Sequence, residues 1–298
     1  MTEPRAPRLD RIAIGIDFSE LAREGAAWAL GALAPDAELL LVHALDLAPG
    51  ASLGAPRAAP SATVLDAARD FAEARLRAIA RELGRPDARI ELREGRPAPA
   101  IASAAEAWGA DLIVVGPHGE RAAERRGLGT TAERLVRISP IPVLLAGASP
   151  SRSVKRLLVP VDEVDLTAAV LEWAALVARR EGADVTLVHV LDPHAAERPA
   201  RGADATEAWL AELASELPPP ARADRVVATG TPGEEILDAA GRSRADLVIL
   251  GRRGRGRVLP GVLGSTVSVV LRDAPCPVLV VVDAADAILD EWGSEPAS

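Results

Sequence analysis

The chain contains no tyrosine, asparagine or glutamine, a single lysine, Lys155, and a single cysteine, Cys276. One cysteine excludes an intramolecular disulfide and any cysteine-built metal cluster. Without Tyr, Asn or Gln there is no phenolic acid and no side-chain amide for an oxyanion hole. Lys155 follows no glycine-rich loop, so there is no Walker lysine. No apolar run approaches the roughly 20 residues that span a bilayer. Basic residues are in deficit, 34 against 43 acidic ones for a net charge of −9, which argues against a surface dedicated to nucleic acid or an anionic membrane. Met1 to Asp10 are polar and proline-bearing without the apolar core of a signal peptide, so a cytoplasmic protein is expected. What remains is globular in composition, 49% hydrophobic and 26% charged, and its 298 residues suffice for two domains with a core each.

The second half repeats the first. Ile14-Gly15-Ile16-Asp17 corresponds to Val159-Pro160-Val161-Asp162 at an offset of 145, and Leu41-Val42-His43 to Leu187-Val188-His189 at 146. Further on the offset settles at 135, pairing Gly95-Arg96-Pro97 with Gly230-Thr231-Pro232, Ala110-Asp111-Leu112 with Ala245-Asp246-Leu247, and Pro140-Ile141-Pro142-Val143 with Pro275-Cys276-Pro277-Val278. The first half therefore carries about eleven extra residues, assigned to the Ala/Pro/Gly-rich stretch from Leu47 to Ala62. Insertions confined to loops leave the surrounding elements in register, as a shared fold requires.

Within the first half, Arg11 to Asp17, Glu38 to Ala44, Arg89 to Arg93, Leu112 to Gly116 and Pro142 to Ala146 are short apolar runs of strand length. Between them, Leu65, Ala68, Ala72, Leu76, Ile79 and Leu83 step by three or four and form one helical stripe, as do Val267, Val270, Leu271 and Ala274 in the second half. Strands that alternate with helices and read as continuous apolar runs predict a parallel sheet covered on both faces. The expected fold is α/β, with two tandem doubly wound domains of five parallel strands each, 1–150 and 151–298, divided within Ala148 to Ser153. The tail after Asp283 reads as a short helix or a loose end. In such sheets ligands sit beyond the carboxyl ends of the strands where strand order reverses.

After the fourth strand the first half runs Gly116-Pro117-His118-Gly119, nine residues, then Gly129-Thr130-Thr131. The second half runs Gly251-Arg252-Arg253-Gly254, nine residues, then Gly264-Ser265-Thr266, and a helix follows each. Glycine lets backbone approach an anion closely, and the amides of a helix start attract phosphate. One Gly-x-x-Gly makes a turn; the full spacing at the same place in both halves points to a phosphate-holding loop.

This pattern resembles the universal stress protein family in its tandem form, over essentially the whole chain. The resemblance implies an adenine-nucleotide α-hydrolase-like sheet and binding of ATP or another adenine nucleotide, with Mg²⁺. By that resemblance Gly116, Gly119, Gly129 and Thr130 contact phosphates and ribose in the first site, and Gly251, Gly254, Gly264 and Ser265 in the second, with Thr131 and Thr266 assisting. The family's aspartate near adenine falls on Asp17 and Asp162, and a backbone contact to the base falls on Val42 and Val188. The entry to its fifth strand resembles Asp273-Ala274-Pro275-Cys276-Pro277-Val278. Family members commonly pair through the last strand, so Val143 to Leu145 and Val278 to Val282 are expected to join the halves as a pseudo-twofold pair, with a homodimer of chains as a further option.

The two sites differ in charge. Asp17-Phe18-Ser19 keeps a small hydroxyl residue that Asp162-Glu163-Val164-Asp165 replaces with valine among carboxylates, which repel phosphate unless Mg²⁺ intervenes. Glu120 to Leu128 has mixed charge, whereas Arg252, Arg253, Arg255 and Arg257 form an all-positive loop suited to a triphosphate. That loop also fits a nucleic-acid patch, though it stands alone in an acidic chain without aromatics around it. His43 and His189 repeat, and read better as structural hydrogen-bonders than as catalysts; His118 is replaced by Arg253, so no shared chemistry needs it. Trp28 and Trp173 match at offset 145 and are assigned to packing, and Cys276 to a buried structural thiol. No catalytic residues and no protein-built metal site are assigned. The expected function is nucleotide-responsive regulation with little turnover; a slow Mg²⁺-dependent ATPase using Asp17 or Asp162 and a nucleotide-free interaction module are the alternatives.

Overall fold

The computed structural model of the chain describes residues 6–45, 62–119, 128–147, 149, 151–162, 167–193, 202–217, 223–252 and 263–282. The first half is built from β1 (Arg11–Gly15), α1 (Glu20–Ala32), β2 (Glu38–Leu45), α2 (Ala62–Glu82), β3 (Arg89–Glu94), α3 (Pro97–Trp108), β4 (Leu112–Val115), α4 (Thr130–Ile138) and β5 (Val143–Leu145). The second repeats that order as β6 (Arg156–Pro160), α5 (Thr167–Glu181), β7 (Asp184–Leu191), α6 (Ala203–Glu216), β8 (Ala223–Thr229), α7 (Pro232–Ser243), β9 (Leu247–Gly251), α8 (Ser265–Asp273) and β10 (Val278–Val281). The α/β class and the two five-stranded parallel units are as the sequence predicts.

The strands form one ten-stranded sheet in the order β3-β2-β1-β4-β5-β10-β9-β6-β7-β8. All neighbours are parallel except at the centre, where β5 and β10 run antiparallel with Leu145 opposite Val278, Leu144 opposite Leu279 and Val143 opposite Val280. At the repeat offset of 135, Leu144 is equivalent to Leu279 and so faces its own counterpart, the mark of an isologous contact. A pseudo-twofold axis therefore passes through that pair, perpendicular to the sheet. Because the seam is antiparallel, the carboxyl ends of the strands of one half lie on the edge opposite to those of the other.

Both faces of the sheet are covered, so successive residues of each strand serve different cores. Ile12 and Ile14 face the layer that holds Trp28 of α1 and Leu76 of α2 and continues under the second half to Trp173 of α5, while Ala13 faces the opposite layer, which holds Ile101 of α3 and Leu135 of α4 and continues to Ile236 of α7. The predicted α2 stripe faces the sheet through buried Ala72, Leu76 and Ile79; Leu65, Ala68 and Leu83 are half-buried, and Val64 and Phe71 face solvent. Trp28 also donates its indole N–H to the Ser151 carbonyl at 2.8 Å, tying α1 to the connection between the halves. No helix among the described residues is long and apolar enough to cross a membrane.

Candidate functional site

Strand order reverses between β1 and β4 in the first half and between β6 and β9 in the second. β1 ends at Gly15, two residues before the expected Asp17; the Ile16 amide still bonds the Val42 carbonyl, and the chain turns over Asp17 to Ser19. Asp17 is exposed, and its Oδ1 accepts both the Ser19 amide (3.0 Å) and the Ser19 hydroxyl (2.6 Å). Ser19 Oγ in turn accepts the Ala22 amide at 3.2 Å and so caps α1. Between them Phe18 is held at φ 68°, a left-handed conformation costing a non-glycine residue about 1–2 kcal/mol. Its ring lies 4.3 Å from that of His43, and the Arg75 guanidinium sits 4.6 Å above it.

The loop after β4 is pressed against this turn. A Cβ on Gly119 would lie 2.7 Å from Asp17 Oδ2, and one on Gly129 would lie 3.0 Å from both His118 Cα and the Pro117 carbonyl oxygen. Gly129 also donates its amide to that carbonyl at 2.8 Å, closing the neck of the loop. Gly116 is looser, with 3.5 Å from a built Cβ to the Ala22 amide nitrogen. A side chain at 129 would thus be crowded by backbone, whereas one at 119 would meet the carboxylate end of Asp17, which can turn away. His118 Nδ1 is buried with no hydrogen-bond partner, a polar atom that an incoming group would satisfy. At the start of α4 the N-cap is Gly129, with no side chain on the first amides; Thr130 is exposed and Thr131 half-buried beside them. The structure therefore brings Asp17, Gly116, Gly119, Gly129, Thr130 and Thr131 to one end of β1 and β4.

The second half repeats the frame: Asp162 follows β6, Gly251 ends β9, and Gly264 is the uncapped N-cap of α8, ahead of exposed Ser265 and half-buried Thr266. Thr167 donates its hydroxyl to the Asp162 carbonyl. Gly254, Glu163, Val164, Asp165, the arginines 253, 255 and 257 and the segments Glu120 to Gly127 and Asp283 to Ser298 lie outside the described residues, as does nearly all of the Leu47–Ala62 insertion.

Two expectations need correction. Val42 and Val188 are wholly buried, and their carbonyls accept the amides of Ile16 (2.8 Å) and Val161 (2.9 Å). Neither can offer backbone to a base without breaking the sheet. Pairing with the first strand ends at Val42 and Val188, while β2 and β7 run on against β3 and β8 alone. Because alternate residues of a strand point their backbone groups to the same side, Ala44 and Val190, both partly exposed, are the first to face the switch point without a strand partner. Sequence spacing misses this because it depends on how far one strand outruns its neighbour. Arg252 is the second correction. Far from facing a phosphate, it is buried, and its Nη1 donates to the carbonyls of Val136 (3.4 Å), Arg137 (3.2 Å) and Ser139 (3.0 Å) at the end of α4.

Other repeated residues are architectural. His43 Nδ1 bonds the Ile16 carbonyl at 2.6 Å and His189 Nδ1 the Val161 carbonyl at 2.8 Å, which requires the proton on Nδ1 in each ring. Burial pushes the His43 pKa below its ordinary value, over the opposing pull of that bond and of Asp17. Asp111 Oδ2 accepts the amides of Asp10 and Arg11, and Asp246 Oδ2 those of Lys155 and Arg156, all at 3.0 Å. This clamps the start of each first strand at the edge away from its site. Cys276 is half-buried, and desolvation, with Asp246 nearby, pushes its thiol up to about 12, where it is inert. Among the described residues no group of three or more His, Cys, Asp or Glu is placed to hold a metal.

The universal stress protein family model matches residues 8–147 and again 153–282. The chain belongs to the universal stress protein family. A universal stress protein of Mycolicibacterium smegmatis is 29% identical over 293 residues, covering 91% of this chain and 96% of its own length. The universal stress protein in the QAH/OAS sulfhydrylase 3′ region of Thermus aquaticus is 34% identical over 135 residues, 43% of this chain and 98% of its own. The crystal structure of a universal stress protein from Archaeoglobus fulgidus superimposes with a TM-score of 0.71 at 23% identity over 92% of this chain and 96% of that one, a likeness of fold. The chain is thus a tandem universal stress protein, with both glycine loops inside the matched residues.

Proposed function

We propose that each half binds an adenine nucleotide, ATP in the first instance, and that the chain is a nucleotide-responsive regulatory protein of stress resistance with little or no rapid turnover. The observation that carries the reading is the glycine loop at the switch point, folded so that Gly119 meets the Asp17 carboxylate and Gly129 is bonded to Pro117. Side chains at 119 or 129 would fill the space left beside backbone amides and an uncapped helix start, where phosphate is favoured. The first site is Asp17, Gly116, Gly119, Gly129, Thr130 and Thr131; the second is Asp162, Gly251, Gly254, Gly264, Ser265 and Thr266. Ala44 and Val190 take the backbone contact to the base in place of Val42 and Val188. Mg²⁺ arriving with the phosphates would meet Asp17 or Asp162 and offset the repulsion between carboxylate and phosphate.

We further place the domain division at 150/151, take the β5–β10 seam as the lasting interface between the halves in solution, and assign the chain to the cytoplasm; neither nucleic acid nor membrane is a partner. A homodimer of chains would need a surface other than the central edge strands, since these are already paired with each other. Quantifying nucleotide released from the purified protein by denaturation tests the reading: adenine nucleotide is expected, and a chain that neither carries it nor takes up MgATP on dialysis would refute it. Asp17, exposed beside the loop, keeps a slow ATPase as the second reading. That reading predicts measurable turnover, abolished in an Asp17→Ala, Asp162→Ala double variant; equal background rates remove it.

A further inference from the structure

We infer that Arg252 is a positioning residue that couples the two sites, by carrying the state of the second loop into the helix on which the first site is built. The inference rests on the nucleotide reading above and adds to it a path between the sites. Arg252 directly follows Gly251, the first glycine of the second loop, and its amide is fixed by the Val281 carbonyl at 2.9 Å. Its side chain leaves that loop and crosses the seam. There it donates to the Val136, Arg137 and Ser139 carbonyls, at the end of a helix, where the last carbonyls have no intrahelical donor. A buried cation at a helix C-terminus also complements the helix dipole.

The antiparallel seam explains why this contact joins the two sites. α4 starts at the first site, with Gly129 and Thr130, and runs back across the sheet to the edge on which the second site lies. Its nine residues make a rigid rod about 13 Å long. Because Gly251 and Arg252 are bonded into the sheet at Val281, a nucleotide that bears on this strand end acts through the Arg252 side chain on the far end of the first site's phosphate-facing helix. The reverse path is not built the same way. At offset 135 the equivalent of Arg252 is Pro117, which has neither a side-chain donor nor an N–H. A single staple breaks the pseudo-twofold symmetry, although the coupling energy it transmits is felt equally at both sites.

Hydrogen exchange of the full chain tests this. In a Gly129→Trp variant only the second site can load, and MgATP is expected to slow exchange of the amides at the end of α4, residues 135–139. In the same variant carrying Arg252→Met, second-site binding is followed by titration, and the nucleotide-dependent change at 135–139 is expected to vanish. Arg252→Lys, which retains charge and a donor, should restore part of it and controls for misfolding. In the native chain, filling the second site should change first-site affinity by about fivefold or more, against a Gly264→Trp chain in which that site stays empty. Second-site binding with no change at 135–139, or with the same change in Arg252→Met, overturns the coupling alone. A native chain that binds no nucleotide overturns the nucleotide reading, and the coupling with it.

Discussion

Gly109 and Arg244 occupy the same place in the two halves, ending α3 and α7, and both are left-handed, at φ 74° and 51°. Pro117 and Arg252 share a place at the start of the two loops, and there the halves part: one side chain stays in its own domain, the other reaches its neighbour. Backbone geometry is common to both copies even where the residue is ill-suited to it. Side-chain destinations follow the local partner instead. His43 and His189 bond the same carbonyl of their respective turns, as Asp111 and Asp246 clamp the same strand start, so these repeats record the fold and not a shared chemistry.

The sharpest way to separate the halves is to close one loop at a time. Gly129→Trp drives a side chain into the backbone of Pro117 and His118 and is expected to weaken first-site binding by about 100-fold or more, roughly 2.7 kcal/mol, while the second site still loads. A Cβ on Gly264 would have only a Val267 methyl near it, at 4.0 Å, so Gly264→Trp acts by filling the space beside the helix start; it should weaken the second site in turn, and calorimetry on the two variants reads both. Next in size is the seam. Leu144→Ala and Leu279→Ala remove fully buried side chains that face each other, and each is expected to cost about 2–5 kcal/mol in urea unfolding. Because the two positions are equivalent, clearly unequal losses would argue that the pseudo-twofold axis does not hold energetically.

A smaller effect separates the helix ends. Gly109→Ala should cost about 1–2 kcal/mol, since nothing but Arg11 Nη1, at 3.7 Å, is near a built Cβ and only the left-handed strain acts. Arg244→Gly should relieve the same strain and stabilise by about 0.5–1 kcal/mol after the extra freedom glycine gives the unfolded chain. The smallest expected effect is one of pH. His43 titrates below its ordinary 6.5 when folded, so on acidification the unfolded chain takes up the proton first. The stability this contributes is complete above 6.5 and is lost as the pH falls towards the folded value. Thermal unfolding between pH 7.5 and 5.5 should show that decline, and a His43→Leu variant should lack its share of it.

The fold was legible because its strands, buried on both faces, read as unbroken apolar runs, and because each run occurs twice. The gathering of Gly116, Gly119, Gly129 and Asp17 at the switch point was legible for the same reason. What escaped the sequence depends on relations between distant segments. Arg252 sits in a run of arginines, which reads as a phosphate-facing loop until the seam brings the end of α4 beneath it. That Val42 is bonded into the sheet while Ala44 has no partner on the β1 side depends on β1 stopping before β2 does. Phe18 carries no sign of its left-handed backbone; the hydrogen bonds that impose it come from Asp17 and Ser19, on either side.

The central claim is two adenine-nucleotide sites on one repeated frame, made unequal by the residues around them. Isothermal titration of the purified full-length chain with MgATP, after any bound nucleotide is removed, tests it most directly. Two nucleotides per chain are expected, taken up in two steps of different affinity, with one step removed by Gly129→Trp and the other by Gly264→Trp. Absence of binding, or a single step that survives both substitutions, would contradict it.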